Sequence, residues 1–200
     1  MLNFEKILKS LKSGNPEVFA PLFKKHLKKL SDEDQIRLLA NVLAETGNLS
    51  TFRESGYYTS ADRLRAVFPS VFVKGGYNAN NYLKNSEKLF NLIYSNKFKP
   101  ALGNGDVASG EGFKYRGGGG LQTTGKHNYK VLSDISGIDF VKNPELITEP
   151  ENVVISAISF WNANKVSSKK TLKDVRVAIN GSSFGYDEFV KYYNKIKGVL

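Results

Sequence analysis

The stretch Ser31-Asp32-Glu33-Asp34-Gln35-Ile36-Arg37-Leu38-Leu39-Ala40-Asn41-Val42-Leu43-Ala44-Glu45-Thr46-Gly47 sets the fold class. Ser31 is a helix-start residue whose hydroxyl can accept from a free amide of the first turn, and the three acids behind it oppose the positive end of the helix dipole. Ile36, Leu39, Val42 and Leu43 then recur at helical spacing, so one face of this helix is deeply buried. The helix stops near Gly47, which puts Glu45 in its last turn. A carboxylate there sits at the negative pole of the dipole, an unfavourable place that asks for a reason.

Working outward toward the N-terminus, Phe4, Ile7, Leu8 and Leu11 fall at helical spacing up to the turn Ser13-Gly14-Asn15-Pro16. Val18, Phe19, Leu22, Phe23, Leu27 and Leu30 resume the pattern. Both apolar stripes have the width of core-packing helices rather than of membrane-surface ones, and the cluster Lys24-Lys25-His26-Leu27-Lys28-Lys29 reads as a solvated helix face. On the other side, Asn48 to Thr59 lacks apolar periodicity and reads as a loop, placing Glu54 off the helix and able to face Glu45 across a groove. Asp62 to Phe68 reads as a helix closed by Pro69, Tyr82 to Tyr94 as another, and Lys99 to Gly112 as a glycine-rich polar connection. Glu151 to Trp161 is strongly apolar and reads as the central buried helix. Leu172 to Ile179 and Tyr186 to Ile196 follow. The expectation is a mainly α fold with little or no β-sheet, in one domain spanning 1–200 with the basic helices of 1–30 packed on it.

Composition agrees with one core: 200 residues, 40% of them hydrophobic, suffice for a single domain and are too few for two comfortable ones. No stretch approaches the roughly 20 apolar residues needed to cross a bilayer, and Met1-Leu2-Asn3-Phe4-Glu5-Lys6 lacks the apolar core of a secretory signal, so stable membrane insertion is not expected and a cytoplasmic origin is. There is no cysteine to form a disulfide or a thiolate metal site. His26 on a lysine-rich helix and His127 in a loop do not make a two-histidine site, so no metal and no other cofactor is expected. The net charge of +10 attracts polyanions, among them nucleic acid, anionic lipid and acidic cell wall. Nucleic acid ranks last, because the aromatics sit at core spacing rather than on a positive face where bases could stack.

Two carboxylates at close spacing, Glu45 and Glu54, are followed by Tyr115-Arg116-Gly117-Gly118-Gly119-Gly120-Leu121-Gln122-Thr123-Thr124-Gly125. A carboxyl pair suits hydrolysis of a glycosidic bond, where one acid protonates the leaving oxygen and one carboxylate activates water or attacks the sugar. Four successive glycines let the backbone take positive φ and approach a ligand or a neighbouring helix closely. Gly120-Leu121-Gln122-Thr123-Thr124-Gly125-Lys126 imitates a phosphate-binding loop, but His127 stands where a magnesium-binding Ser or Thr is required. Read from residues alone, Glu54 is an ordinary loop acid that could pair with Arg53 or Arg63.

On these residues the chain resembles glycoside hydrolase family 19, the plant-type chitinases and their bacteriophage lysozyme relatives, and looks most like the compact endolysin branch. Ala44-Glu45-Thr46-Gly47 matches the family's His-Glu-Thr/Ser-Gly, and Tyr115-Arg116-Gly117 through Gln122-Thr123-Thr124-Gly125 matches its Tyr-Arg-Gly-Arg-Gly-Leu-Ile-Gln-Leu-Thr-Gly. Asn128-Tyr129, Asn143-Pro144-Glu145-Leu146, the Ser156 to Trp161 helix and Ile179-Asn180-Gly181 follow in order. The resemblance implies a two-lobed, lysozyme-like helical domain that cleaves a β-1,4 linkage between aminosugars with inversion. In that scheme Glu45 is the general acid, Glu54 the general base, and Thr124 helps hold the attacking water. Arg116, Gln122, Asn128 and Asn180 are the implied substrate-binding residues, with a purely structural role the alternative for Arg116 and a turn-forming one for Asn180. The chain departs from the pattern at Ala44 for histidine, Gly118 for the second arginine, Gly120 for an apolar residue and Thr123 for leucine. The region after Asn180 also lacks the usual second glycine and arginine.

The resulting expectation is a monomeric peptidoglycan hydrolase, a lysozyme-type endolysin cutting between N-acetylmuramic acid and N-acetylglucosamine. It would wait in the host bacterial cytoplasm until a holin-type partner opens a route to the wall. A chitinase, or a wall-binding module that has lost catalysis through the departures at Ala44 and Gly118, are the alternatives.

Overall fold

The computed structural model describes residues 2–200. Among them the chain forms eleven α-helices joined by loops and short 3-10 turns, and its only β-pairing is two isolated antiparallel bridges, Arg53 with Gly118 and Gly118 with Thr123. The mainly helical class expected from the sequence is the class adopted. The chain divides into two compact units, each built from separated segments.

The first unit comprises the residues up to Phe52 together with Gly119–Gln122 and Glu145–Leu200. It holds α1 (Phe4–Ser10), α2 (Pro16–Leu27), α3 (Asp32–Glu45), α9 (Pro150–Ala163), α10 (Leu172–Asn180) and α11 (Tyr186–Val199). Ser31 caps α3 as its position predicts, its Oγ accepting from the Asp34 amide at 3.2 Å. Two helices share the interior. α9 buries Val153, Val154, Ala157 and Trp161, and α3 buries Ile36, Leu38, Leu39, Val42 and Leu43. Phe4, Ile7 and Leu8 of α1, Phe19, Phe23 and Leu27 of α2, and Phe189 and Ile196 of α11 complete one apolar cluster with them. Part of the lysine cluster on α2 is not simply solvated: Lys25 Nζ lies 2.6 Å and His26 Nε2 2.9 Å from Glu151 Oε1, in the first turn of α9.

The second unit comprises Arg53–Gly118 and Thr123–Pro144. It holds α4 (Ala61–Val67), α5 (Pro69–Phe72), α6 (Ser86–Ile93), α7 (Glu111–Lys114) and α8 (Lys126–Ser136). Its apolar cluster is aromatic in character, with Leu64, Phe72, Leu89, Phe90 and Ile93 buried and Tyr58, Phe68, Tyr94 and Phe113 packed around them. Three sequence expectations are corrected here. Pro69 closes α4 but also opens α5, where its missing amide costs nothing. The helix read from Tyr82 starts only at Ser86, because Lys84 has a left-handed φ of 55° and the Asn85 side chain caps the Lys88 amide at 2.9 Å. His127 lies in α8 rather than in a loop; only Tyr129 and Leu132 of α8 are buried, too few for a periodic signal.

Candidate active site

Glu45 is the last residue of α3, and its position depends on the turn that follows. Gly47, Asn48 and Leu49 have successive φ values of 55°, 64° and 63°, a left-handed run that costs Asn and Leu conformational energy. Side-chain and backbone bonds hold it. Thr46 Oγ1 donates to the Val42 carbonyl at 2.6 Å and accepts from the Leu49 amide at 3.0 Å. Asn48 accepts from Ser13 Oγ at 2.7 Å and donates to the carbonyls of Leu11 and Lys12 at 3.1 and 3.2 Å. The link between α1 and α2 therefore braces the end of the helix that carries Glu45.

The reason Glu45 can sit at the negative helix end is a cation. Arg176 of α10, 3% exposed, places Nη1 2.6 Å from Glu45 Oε1. The same nitrogen donates to Asn41 Oδ1 at 3.1 Å, and Nε donates to the Phe184 carbonyl at 2.8 Å. One guanidinium thus ties α3, α10 and the turn before α11 together and opposes the dipole at Glu45.

Glu54 is positioned by a short β-like crossing. Its amide donates to the Gly117 carbonyl at 2.9 Å, and Gly118 and Thr123 exchange both backbone hydrogen bonds at 3.1 and 2.8 Å to close a tight hairpin. The half-buried carboxylate accepts from Tyr94 Oη at 3.0 Å to Oε1 and 2.9 Å to Oε2, and from the Gly117 amide at 3.3 Å. Burial raises its proton affinity above the ordinary glutamate range, while the Tyr94 hydroxyl, the Gly117 amide and the nearby Arg116 charge act in the opposite direction and offset part of that rise. Burial and the Glu54 charge in turn push the Tyr94 hydroxyl far above its usual range, so it stays a donor.

The glycine run does what close approach requires at two positions. A Cβ on Gly119, whose φ is 76°, would fall 2.4 Å from Ser156 Oγ, and one on Gly120 would fall 2.6 Å from the Val153 carbonyl of α9. The Gly120 amide donates to Ser156 Oγ at 3.0 Å, and the Gly119 amide to the Phe52 carbonyl at 3.0 Å. The hairpin tip Gly119–Gln122 is thereby seated on α9 within the first unit.

Among the remaining residues singled out in the sequence, Arg116 lies beside Glu54, its guanidinium 4.0 Å above the Phe113 ring and bonded to the Phe113 carbonyl at 2.9 Å. Gln122 occupies the hairpin tip with a left-handed φ of 52°. Asn128 Nδ2 donates to the Thr124 carbonyl at 2.7 Å, joining two of the implied residues at the start of α8. Asn180 Nδ2 donates to the Phe184 carbonyl at 2.9 Å, the turn-forming contact that an Asn before Gly suggests. Arg53 reaches Tyr129 Oη at 2.5 Å and the Lys114 carbonyl at 3.3 Å, where it braces the hairpin. Among the described residues no three His, Asp or Glu side chains gather as a metal site would require.

Two residues at the carboxylates escaped sequence reading. Arg176 left a signal: Leu172, Val175, Arg176 and Ile179 form one i, i+3, i+4, i+7 stripe, and an arginine on the apolar face of a helix needs a buried partner. Tyr94 left none, since an aromatic at the end of α6 is equally a core residue; it also stacks on Phe90 at 5.4 Å.

No protein-family model matches the chain. A "Glycosyl hydrolase family 19 domain-containing protein" of Haemophilus influenzae is 32% identical over 172 residues, covering 81% of this chain and 78% of the relative. The chain belongs to glycosyl hydrolase family 19. A shorter match, 39% identical over 62 residues, joins 30% of this family 19 chain to 24% of "Chitinase 11" of Oryza sativa subsp. japonica. Chitinase C of Streptomyces griseus HUT6037 shares the fold at a TM-score of 0.58 and 18% identity, over 98% of this chain and 90% of that one. A crystal structure of a chitinase C point mutant superposes with the same TM-score at 16% identity, over 98% and 75%. As a family 19 member the protein is a glycoside hydrolase acting on glycans, with a lysozyme-like helical fold.

Proposed function

We propose that the enzyme is a lysozyme-type peptidoglycan hydrolase that cleaves the β-1,4 bond between N-acetylmuramic acid and N-acetylglucosamine with inversion, Glu45 as general acid and Glu54 as general base. The observation that carries the catalytic part is that each carboxyl is fixed by its own donors: Arg176 on Glu45, Tyr94 and Gly117 on Glu54. Burial makes Glu54 a stronger base than a solvated glutamate, which favours its use in activating water. Thr124 helps hold that water, and Arg116, Gln122, Asn128 and Asn180 contact the sugars. For the substrate, the net charge of +10 supports an anionic wall polymer. In this reading a single domain acts as a monomer in bacterial lysis, reaching the wall from the cytoplasm through a pore made by a holin-type partner.

One observation favours an exchange of the two roles. Arg176 Nη1 lies 2.6 Å from Glu45 Oε1, whereas burial raises the proton affinity of Glu54 above the ordinary glutamate range. The names of the rice and Streptomyces relatives support chitin as the alternative substrate.

Release of reducing ends from peptidoglycan and from chitin oligomers, with Glu45→Gln and Glu54→Gln beside the parent, tests the whole reading. Both variants should lose about 100-fold or more of the parent rate. An aryl glycoside with a good leaving group restores turnover only to the variant that lacks the acid, which assigns the roles. Full activity in either variant overturns the two-carboxylate scheme. Cleavage of chitin alone makes the enzyme a chitinase, and binding without cleavage makes it a wall-binding module.

A further inference from the structure

Phe184 is the anomaly of the surface. The chain has thirteen phenylalanines, and twelve are buried or half-buried, whereas Phe184 is 82% exposed. Its backbone is held in place. The carbonyl accepts from Arg176 Nε at 2.8 Å and from Asn180 Nδ2 at 2.9 Å, and the amide donates to Ser182 Oγ at 3.2 Å. Gly185, next in the chain, has a φ of 72°, and a Cβ there would fall 2.5 Å from Arg176 Nη2. The turn is therefore shaped around the buried guanidinium, with both backbone polar groups of Phe184 engaged and its ring left in water.

Leaving a whole aromatic face in water while locking its backbone forgoes the burial that every other phenylalanine of the chain obtains. What makes the position useful is its neighbour: Arg176 Nη1 is 2.6 Å from Glu45 Oε1, so one planar guanidinium separates the Phe184 backbone from the carboxyl. We propose that Phe184 is a glycan-binding residue, its ring a platform on which the apolar C–H face of a pyranose stacks, holding a sugar next to the one cleaved at Glu45. An aromatic ring supplies rigid contact area at low entropic cost and leaves the sugar's hydroxyl and acetamido groups free to bond elsewhere. The proposal rests on the reading of Glu45 as a carboxyl that acts on the glycan.

The test separates binding from catalysis. Affinity for soluble N-acetylglucosamine oligomers of increasing length is measured by calorimetry in a Glu45→Gln background, with and without Phe184→Ala and Phe184→Trp, and kcat and KM are measured on the same oligomers with Glu45 intact. Phe184→Ala should weaken binding of the longer oligomers and raise KM by about three- to tenfold, the strength of one aromatic contact. Phe184→Trp should keep the parent affinity, kcat should stay near the parent value, and the thermal midpoint should not fall, since the ring supports no core. Equal affinity of Phe184→Ala and its parent for every length overturns the proposal. So does a Phe184→Ala variant that changes self-association in sedimentation and leaves glycan affinity alone. If Glu45→Gln is fully active while Phe184→Ala still loses affinity, the role of Glu45 fails and the platform stands.

Discussion

At the scale of single residues, the hydroxyl of Tyr94 governs the proton affinity of Glu54 more than any group the sequence advertises. It is the largest influence favouring the ionised carboxyl against burial, ahead of the Gly117 amide and Arg116. Tyr94→Phe removes a donor to the charged form, so Glu54 should hold its proton to a still higher pH. With Glu54 as base, the acid limb of the kcat/KM profile moves up; with the roles exchanged, the alkaline limb moves up instead. A profile unchanged on both limbs would remove Glu54 from the chemistry. The carboxyls themselves were legible, Glu45 because a helix-end acid demands compensation and Glu54 because of the family motif. Arg176 was half-legible from its place on an apolar stripe. Tyr94 was not, because its hydroxyl partner is forty residues away in the chain and no local pattern encodes that contact.

At the scale of elements, the hairpin from Gly118 to Thr123 is where glycine is required rather than merely allowed. The Gly120 Cα lies against the backbone of α9, so Gly120→Ala must move either the hairpin or the helix. The expected cost is about 1–3 kcal/mol, the usual range for overpacking. Urea unfolding checks it, and a variant as stable as the parent would mean that the hairpin tip yields freely. The four glycines foretold a close approach, but not which helix receives it. α8 shows the opposite limit: Lys126-His127-Asn128-Tyr129-Lys130 is polar enough to pass for a loop, and Tyr129 and Leu132 are the only side chains of the helix that are buried. α3 was readable to its cap because Ser31, the acids and the apolar stripe agree with one another.

At the scale of the whole molecule, twenty-nine basic residues against nineteen acidic ones create a field that acts on the substrate before contact. If the substrate is the anionic wall, cleavage of peptidoglycan should fall steeply as salt rises from about 0.1 M to about 1 M and the screening length shrinks from about 10 Å to about 3 Å. Cleavage of uncharged chitin oligomers should stay nearly level over the same range. Parallel responses would take charge out of substrate choice. Composition and periodicity revealed the helical class, yet not the division into two units, since each unit draws on separated segments and the contacts that define it are long-range. That interleaving has a consequence for synthesis. The core begun by Phe4, Ile7 and Leu8 is finished by Phe189 and Ile196, so α3 keeps an uncovered apolar face until α11 has left the ribosome. A nascent chain halted before Tyr186 has both carboxyls and no closed core to hold the first of them.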